Sequence, residues 1–249
     1  MMTVQVYIGI DDTDCRESRG TGFRSRQMSS ELALAGFGKV LGITRHQLLI
    51  HPDISYTTNN SANCIHAETS DVDGLKEFCR NFLFRESQPD ADTGFCFVPT
   101  ASVNQEVEDF GRRAKNEVIT QIEAEQVAHA HGVYLEGLAG NHKGIIGALA
   151  AVGLRHTGND GRFIWQPGKQ LRDLQGFMTV GEVLKGTRVD GILTRDGLLL
   201  GAHELIDLTD WVRAVLIDGK NYILAEKNLK KSGHGWKTAD KEYVRAVSS

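Results

Sequence analysis

The run Val4, Val6, Ile8, Ile10 alternates apolar positions and ends directly in three carboxylates, Asp11, Asp12 and Asp14. Side chains alternate across a strand, so this spacing lays one apolar face against a core. The strand needs a sheet with a covering layer, and it leaves the carboxylates crowded at its carboxyl end. Ligands of open α/β sheets bind beyond the carboxyl ends of strands. Crowded carboxylates repel one another, and keeping them ionised favours a bound cation. An all-oxygen set suits Mg²⁺, which takes one or two carboxylates plus substrate phosphates. Asp11, Asp12 and Asp14 are therefore the candidate metal ligands. The plainer alternative is a solvated turn in which an aspartate caps the next helix, and it stays open.

Farther along, residues 23–35 have helical spacing and stop at Gly36. Residues 39–44 and 46–50 read as two short strands, 56–63 as a polar loop and 64–67 as a strand. Residues 71–85 form an amphipathic pattern behind Ser70 or Asp71, either of which can cap a helix. A strand at 95–98, two helices within 104–131, a strand at 133–135 and a small-residue helix at 145–152 follow. Strands and helices in alternation predict an α/β class built of α+β layers. From Gly168 the texture changes: Asp196-Gly197 and Asp218-Gly219-Lys220 interrupt β-rich runs as hairpin turns do. The expected organisation is a first domain over 1–167 and a smaller β-rich domain over 168–249, with 227–249 polar and partly disordered.

Two glycine- and asparagine-containing loops add chemistry. In residues 137–144 a glycine loop opens the small-residue helix, where free N–H groups and the helix dipole attract an anion. Gly140, Asn141 and Gly144 are the candidate phosphate contacts, and Lys143 adds a point positive charge. The Lys-Ser/Thr ending of a Walker A loop is missing. Close packing of the helix on a sheet explains the small residues equally well. In the loop 57–63, Asn60 and Asn63 can donate and accept at a sugar or base edge. An ordinary polar loop is the alternative.

Composition narrows the partners. With 28 Lys and Arg against 32 Asp and Glu, the net charge of −4 lacks the basic footprint of a general nucleic-acid binder and leaves only a local RNA patch open. No apolar run is long enough to span a bilayer, and the first residues lack a signal-peptide pattern. Cys15, Cys64, Cys79 and Cys96 form no CxxC pair, which argues for free thiols in a reducing, cytoplasmic compartment.

Three segments, in order, resemble the tRNA-isoleucine agmatidine synthase family (TiaS). They are Ile8-Gly9-Ile10-Asp11-Asp12-Thr13-Asp14, then Ile50-His51-Pro52-Asp53-Ile54 leading into the asparagine loop, then Gly140-Asn141-His142-Lys143-Gly144-Ile145-Ile146-Gly147-Ala148-Leu149-Ala150-Ala151-Val152-Gly153. The last is similar to the family run GNGRGLIGALAAIG, and the resemblance spans residues 1 to about 165. It implies a TiaS-like catalytic domain that uses ATP and Mg²⁺. By resemblance Asp11, Asp12 and Asp14 hold the metal, and Asp11, Asp12 and Lys143 serve catalysis. Thr13, Asn60, Asn63, Gly140, Asn141 and Gly144 then surround the nucleotide. The family modifies the wobble cytidine of an isoleucine tRNA with agmatine.

Departures qualify that expectation. Phe23 stands where the family carries a phosphoacceptor threonine, and Asn59-Asn60-Ser61-Ala62 replaces an Arg-Gly-Asn-Gly type run. No cysteine pair is available for the family's zinc ribbon. The expected function is ATP-dependent activation of an oxygen for attack by an amine or other nucleophile, on a small molecule or an RNA. A non-catalytic nucleotide-binding or regulatory protein, favoured by Phe23, and an RNA-binding module stay open.

Overall fold

The structure, a computed structural model, describes residues 2–15, 17–56, 59–209, 211–228 and 235–249. Thr57 and Thr58 of the asparagine loop lie outside the described residues. The chain divides into two compact units, Met1–Thr157 and Gly158–Ser249.

The first unit contains strands β1 (Val4–Asp11), β2 (Lys39–Gln47), β3 (Ser61–Thr69), β4 (Gly94–Pro99) and β5 (Tyr134–Gly137). Its helices are α1 (Thr21–Leu34), α2 (Val72–Glu86), α3 (Gln105–Arg113), α4 (Gln121–Ala130) and α5 (Gly144–His156). The strands lie in the order β5-β4-β1-β3-β2, every neighbour antiparallel. The unit is therefore of α+β type.

The alternation in β1 does what its spacing predicts. Val6, Ile8 and Ile10 are wholly buried on one face. Ile10 pairs with Asn63, Asn63 pairs with Arg45, and Asn63 bonds Ser25 of α1, so this is the face toward α1. The opposite face, with Tyr7, Cys64 and Cys96, packs on α3, α4 and α5. There α5 lies between the sheet and α3 with almost no side-chain cushion. A methyl group at Gly9 would overlap the carbonyl of Ala148, and one at Gly153 would overlap the carbonyl of Val107.

Local signals set the helix starts. Asp71 caps α2 by accepting the Gly74 N–H at 2.9 Å. Asn104 caps α3, and Thr120 with Glu123 forms a capping box on α4.

Two sequence expectations change here. Residues 39–47 form one strand, not two, and β3 begins at Ser61, which moves Asn63 out of the loop and into the sheet. Arg45, Ser61 and Asn63 are polar residues on a strand face turned toward a cavity, which erases the apolar alternation that marks a strand.

The second unit contains β6 (Arg162–Trp165), β7 (Gly176–Thr179), α6 (Val180–Leu184), β8 (Gly191–Thr194), β9 (Leu205–Leu208), β10 (Ala214–Ile217), β11 (Lys220–Lys227), β12 (Trp236–Thr238) and α7 (Lys241–Val247). Its strands run β6-β10-β11-β12-β9-β7, with β8 alongside β11. Asp218 (φ 48°) and Gly219 (φ 73°) make the β10–β11 turn, the left-handed pair a two-residue hairpin needs.

The division falls ahead of the expected boundary at 167/168. Strand β6 pairs with β10, so Arg162–Trp165 belongs with the β-rich unit. Within the tail expected to be partly disordered, β12 and α7 are ordered elements. Val244 and Ala239 bury against Val215 and Leu224, an apolar contact too sparse in sequence to register as a pattern.

Candidate functional site

The chain past β1 turns sharply: Asp12 adopts φ 51°, a left-handed conformation uncommon outside glycine. This bend aims successive carboxylates in different directions around the strand end. Asp11 lies on the α5 face, where only the absence of a side chain at Gly147 admits its carboxylate. Burial pushes the Asp11 carboxyl up to about 8, reinforced by the charges of Asp12 and Asp14 and opposed by the Asp12 backbone N–H and by Arg45. Burial also lifts Asp12, to about 6, with the charges of Asp92 and Asp14 adding to it.

Asp14 has a different job. Its Oδ1 accepts the Thr21 backbone N–H at 2.8 Å and the Thr21 hydroxyl at 2.7 Å. Thr13 is buried, donates its hydroxyl to Thr21 Oγ1, and lines neither of the cavities at the site. The expected turn that ties a helix start is thus present in the same loop as the candidate metal carboxylates. Among the described residues no group of three or more His, Cys, Asp or Glu is disposed around one metal position. Asp11, Asp12 and Asp14 nevertheless line one cavity. Asp11 and Asp12 still fit Mg²⁺ as a pair, because a divalent ion relieves the burial and repulsion that raise both.

Two cavities meet at this pair. The first, about 200 Å³, is polar: Asp11, Asp12, Asp14, Arg45, Asn60 and Asn63 line it, together with the Gly20–Gly22 start of α1 and Tyr56. The second, about 300 Å³, has an apolar wall of Leu48, Ile54, Val118, Ile119 and Ile146, with Asp53, Glu117 and Lys143 at its edges. Asp11, Asp12, Ser55 and Asn60 belong to both linings. Asn60 is held by its amide, which donates to the Leu49 carbonyl at 2.6 Å.

The glycine loop is placed differently from expectation. Lys143 and Gly144 reach the second cavity, but Gly140 and Asn141 line neither. The Asn141 N–H is spent on the Asp92 carboxylate, and the Gly144 N–H donates to the Asp92 carbonyl at 2.7 Å. Two N–H groups expected to cradle phosphate thus hold the loop against β4. Gly144 also gives close packing, since a methyl there would overlap the Asp92 carbonyl.

Arg45, Asp53 and Glu117 line the cavities and Asp92 adds its charge at Asp12, and the sequence did not single out any of them as a site residue. Asp92 lies in a turn-rich loop and Arg45 mid-strand, and only the fold brings them to Asp12 and Asn63. Phe23 lies in the first turn of α1 with the Arg19 guanidinium 4.5 Å from its ring centroid, so the position of the family's threonine holds a cation–π pair.

No family model matches the chain. Among curated proteins, an uncharacterized protein of Methanocaldococcus jannaschii is 29% identical over 156 residues, 60% of this chain and 50% of its own length. Among solved structures, a complex of TiaS with an isoleucine tRNA and ATP is 28% identical with a TM-score of 0.54. A complex of TiaS with the same tRNA, AMPCPP and agmatine is 26% identical with a TM-score of 0.53. The chain carries a TiaS-like region. Each of these two structural matches covers 60% of this chain and 36% of TiaS, so the chain spans little more than a third of that enzyme and half of the curated relative. Among the described residues no helix is long and apolar enough to cross a membrane.

Proposed function

We propose that this chain is a Mg²⁺–ATP-dependent enzyme that activates an oxygen of its substrate for attack by an amine or another nucleophile. The observation that carries the reading is the meeting of two unlike cavities at Asp11 and Asp12. A polar recess with one guanidinium suits a nucleotide. A neighbouring recess with an apolar wall and carboxylates at its rim suits an amine on an alkyl stem. Asp11 and Asp12 would hold Mg²⁺, which when bound neutralises phosphate charge. Lys143, beside the start of α5, would meet phosphate oxygens that reach the second cavity. Gly140 and Asn141 act in this reading as supports that fix the loop carrying Lys143. Thr13 and Asp14 act as supports for α1.

The TiaS structures hold ATP or its analogue, agmatine and tRNA. That supports nucleotide use here and leaves the acceptor as either an RNA or a small molecule. Phe23 favours a second reading, a nucleotide-binding protein without turnover, because a phenyl ring offers no oxygen to phosphorylate.

Thermal unfolding with ATP, with and without Mg²⁺, tests the first step, since a ligand bound only to the native state raises the melting point. A rise that needs both and disappears in Asp11→Asn is expected. No nucleotide-dependent shift would sink the proposal, and a shift without any ATP consumption in the presence of candidate amines and RNA would favour the second reading.

A further inference from the structure

Asn63 sits on β3, paired with Ile10 of β1 and Arg45 of β2, and lines the polar cavity. It is 2% exposed. Its Nδ2 donates to Ser25 Oγ at 3.2 Å, while its Oδ1 is buried with no hydrogen-bond partner. Amide orientation is often ambiguous, because oxygen and nitrogen look alike. Here the neighbour decides it. Ser25 has one hydroxyl proton, and that proton goes to the Thr21 carbonyl at 2.9 Å. Ser25 Oγ can therefore only accept from Asn63, which must present Nδ2 to it. The end left over is the acceptor, and a buried acceptor without a donor is costly to keep.

Its surroundings offer little relief. Beside it, the Nε of Arg45 is turned to Ser61 Oγ at 2.9 Å, and the aspartates beyond Ile10 are acceptors too. An acceptor held in place by a serine whose own proton is committed, on a residue that lines a cavity, is suited to a ligand donor.

Resting on the nucleotide reading above, we propose that Asn63 is a specificity-determining residue. Its Oδ1 accepts an N–H or O–H donor from the nucleoside part of the nucleotide. Two sources have this chemistry, a ribose hydroxyl and the exocyclic amino group of the base. A site built to bond a donor discriminates against analogues that lack it, because the site's own polar group is then left unpaired.

The test is a binding series by calorimetry with Mg²⁺ present, using ATP, 2′-deoxy-ATP, 3′-deoxy-ATP and inosine triphosphate. The wild-type protein is expected to bind at least one analogue about 10-fold or more weaker than ATP, the loss of one well-made bond. A deoxy analogue in that place assigns the ribose, and inosine triphosphate assigns the base amino group. Asn63→Leu is expected to bind ATP about 10-fold weaker and to lose the discrimination. Ser25→Ala, which removes the group that fixes which end of the amide faces the ligand, is expected to weaken the discrimination. Wild-type binding of all four within twofold overturns the proposal even if Asn63→Leu does not fold. Unchanged discrimination in Asn63→Leu also overturns it, while the nucleotide reading survives both results. Absence of any nucleotide binding overturns both.

Discussion

The carboxylate of Asp11 rests against the main chain of Gly147, so closely that a methyl group at Gly147 would overlap its Oδ2. A carboxylate proposed to hold a metal is thus positioned by a residue one turn inside a helix, far along the sequence.

We predict that Gly147→Ala lowers stability and weakens Mg²⁺–ATP binding together. In an ordinary helix interior the change gains about 1 kcal/mol. Here overpacking against Asp11 is expected to reverse the sign and cost about 1–3 kcal/mol. Thermal unfolding reads the sign directly. A variant as stable as the parent, with full nucleotide affinity, would show that Asp11 does not need this gap.

Lys143 lines the same cavity as Asp11 and Asp12 and precedes α5. We predict that Lys143→Ala weakens ATP binding about 10-fold, the scale of a lost charge-assisted contact, and AMP binding much less. Titration with both nucleotides decides it. Equal losses would assign Lys143 to the fold.

Labelled ATP should leave no phosphate on Ser25. The side chain is wholly buried, gives its proton to the Thr21 carbonyl and lies under the Asn63 amide. Thr21, bonded to Asp14 and lining the polar cavity, is the hydroxyl placed to take weak label. Peptide mapping after incubation is the measurement, and stoichiometric label on Ser25 would mean that α1 sits in a different register.

The pH response of stability should carry the mark of His66. Burial, with the nearby Arg155 charge adding to it, lowers its pKa to about 4, below the ordinary value of 6.5. Between those values the imidazole binds more protons in the unfolded chain than in the folded one, opposite in sign to Asp11 and Asp12, so its own contribution to stability rises with pH. The contribution is fully present above about 6.5 and is lost as the pH falls toward 4. We predict that the parent gains stability relative to His66→Gln as the pH rises across this window, read from the difference in denaturant midpoints. Identical pH slopes would count against the shift.

Much of the first unit was legible because its signals are local. The alternation of β1 and the cap of α2 each act within a few residues, as does the Asp218-Gly219 turn of the second unit. The site was legible only in part. Asp11 and Asp12 announce themselves by crowding, yet the glycines of residues 140–153 carry two meanings, and contact decides between them. Gly144 and Gly147 let backbone approach backbone or carboxylate, and Gly140 opens onto no cavity. Asn63 was singled out as a candidate but assigned to a loop, since a polar strand face turned to a cavity has no period to read. Asp92 and Arg45 depend on chain reversals whose geometry no short window contains.

The glycine contacts at α5 have a mechanical consequence. Where Gly9 meets Ala148 and Gly94 meets Gly144, main chain touches main chain, and no rotamer lies between them to absorb a displacement. Helix, strand ends and the Asp11 carboxylate therefore translate as one stiff frame. A change that tunes this protein without breaking it has to enter through the cavity walls at residues 53–56 and 117–121, where side chains rather than bare main chain form the surface. The floor beneath them has no such slack.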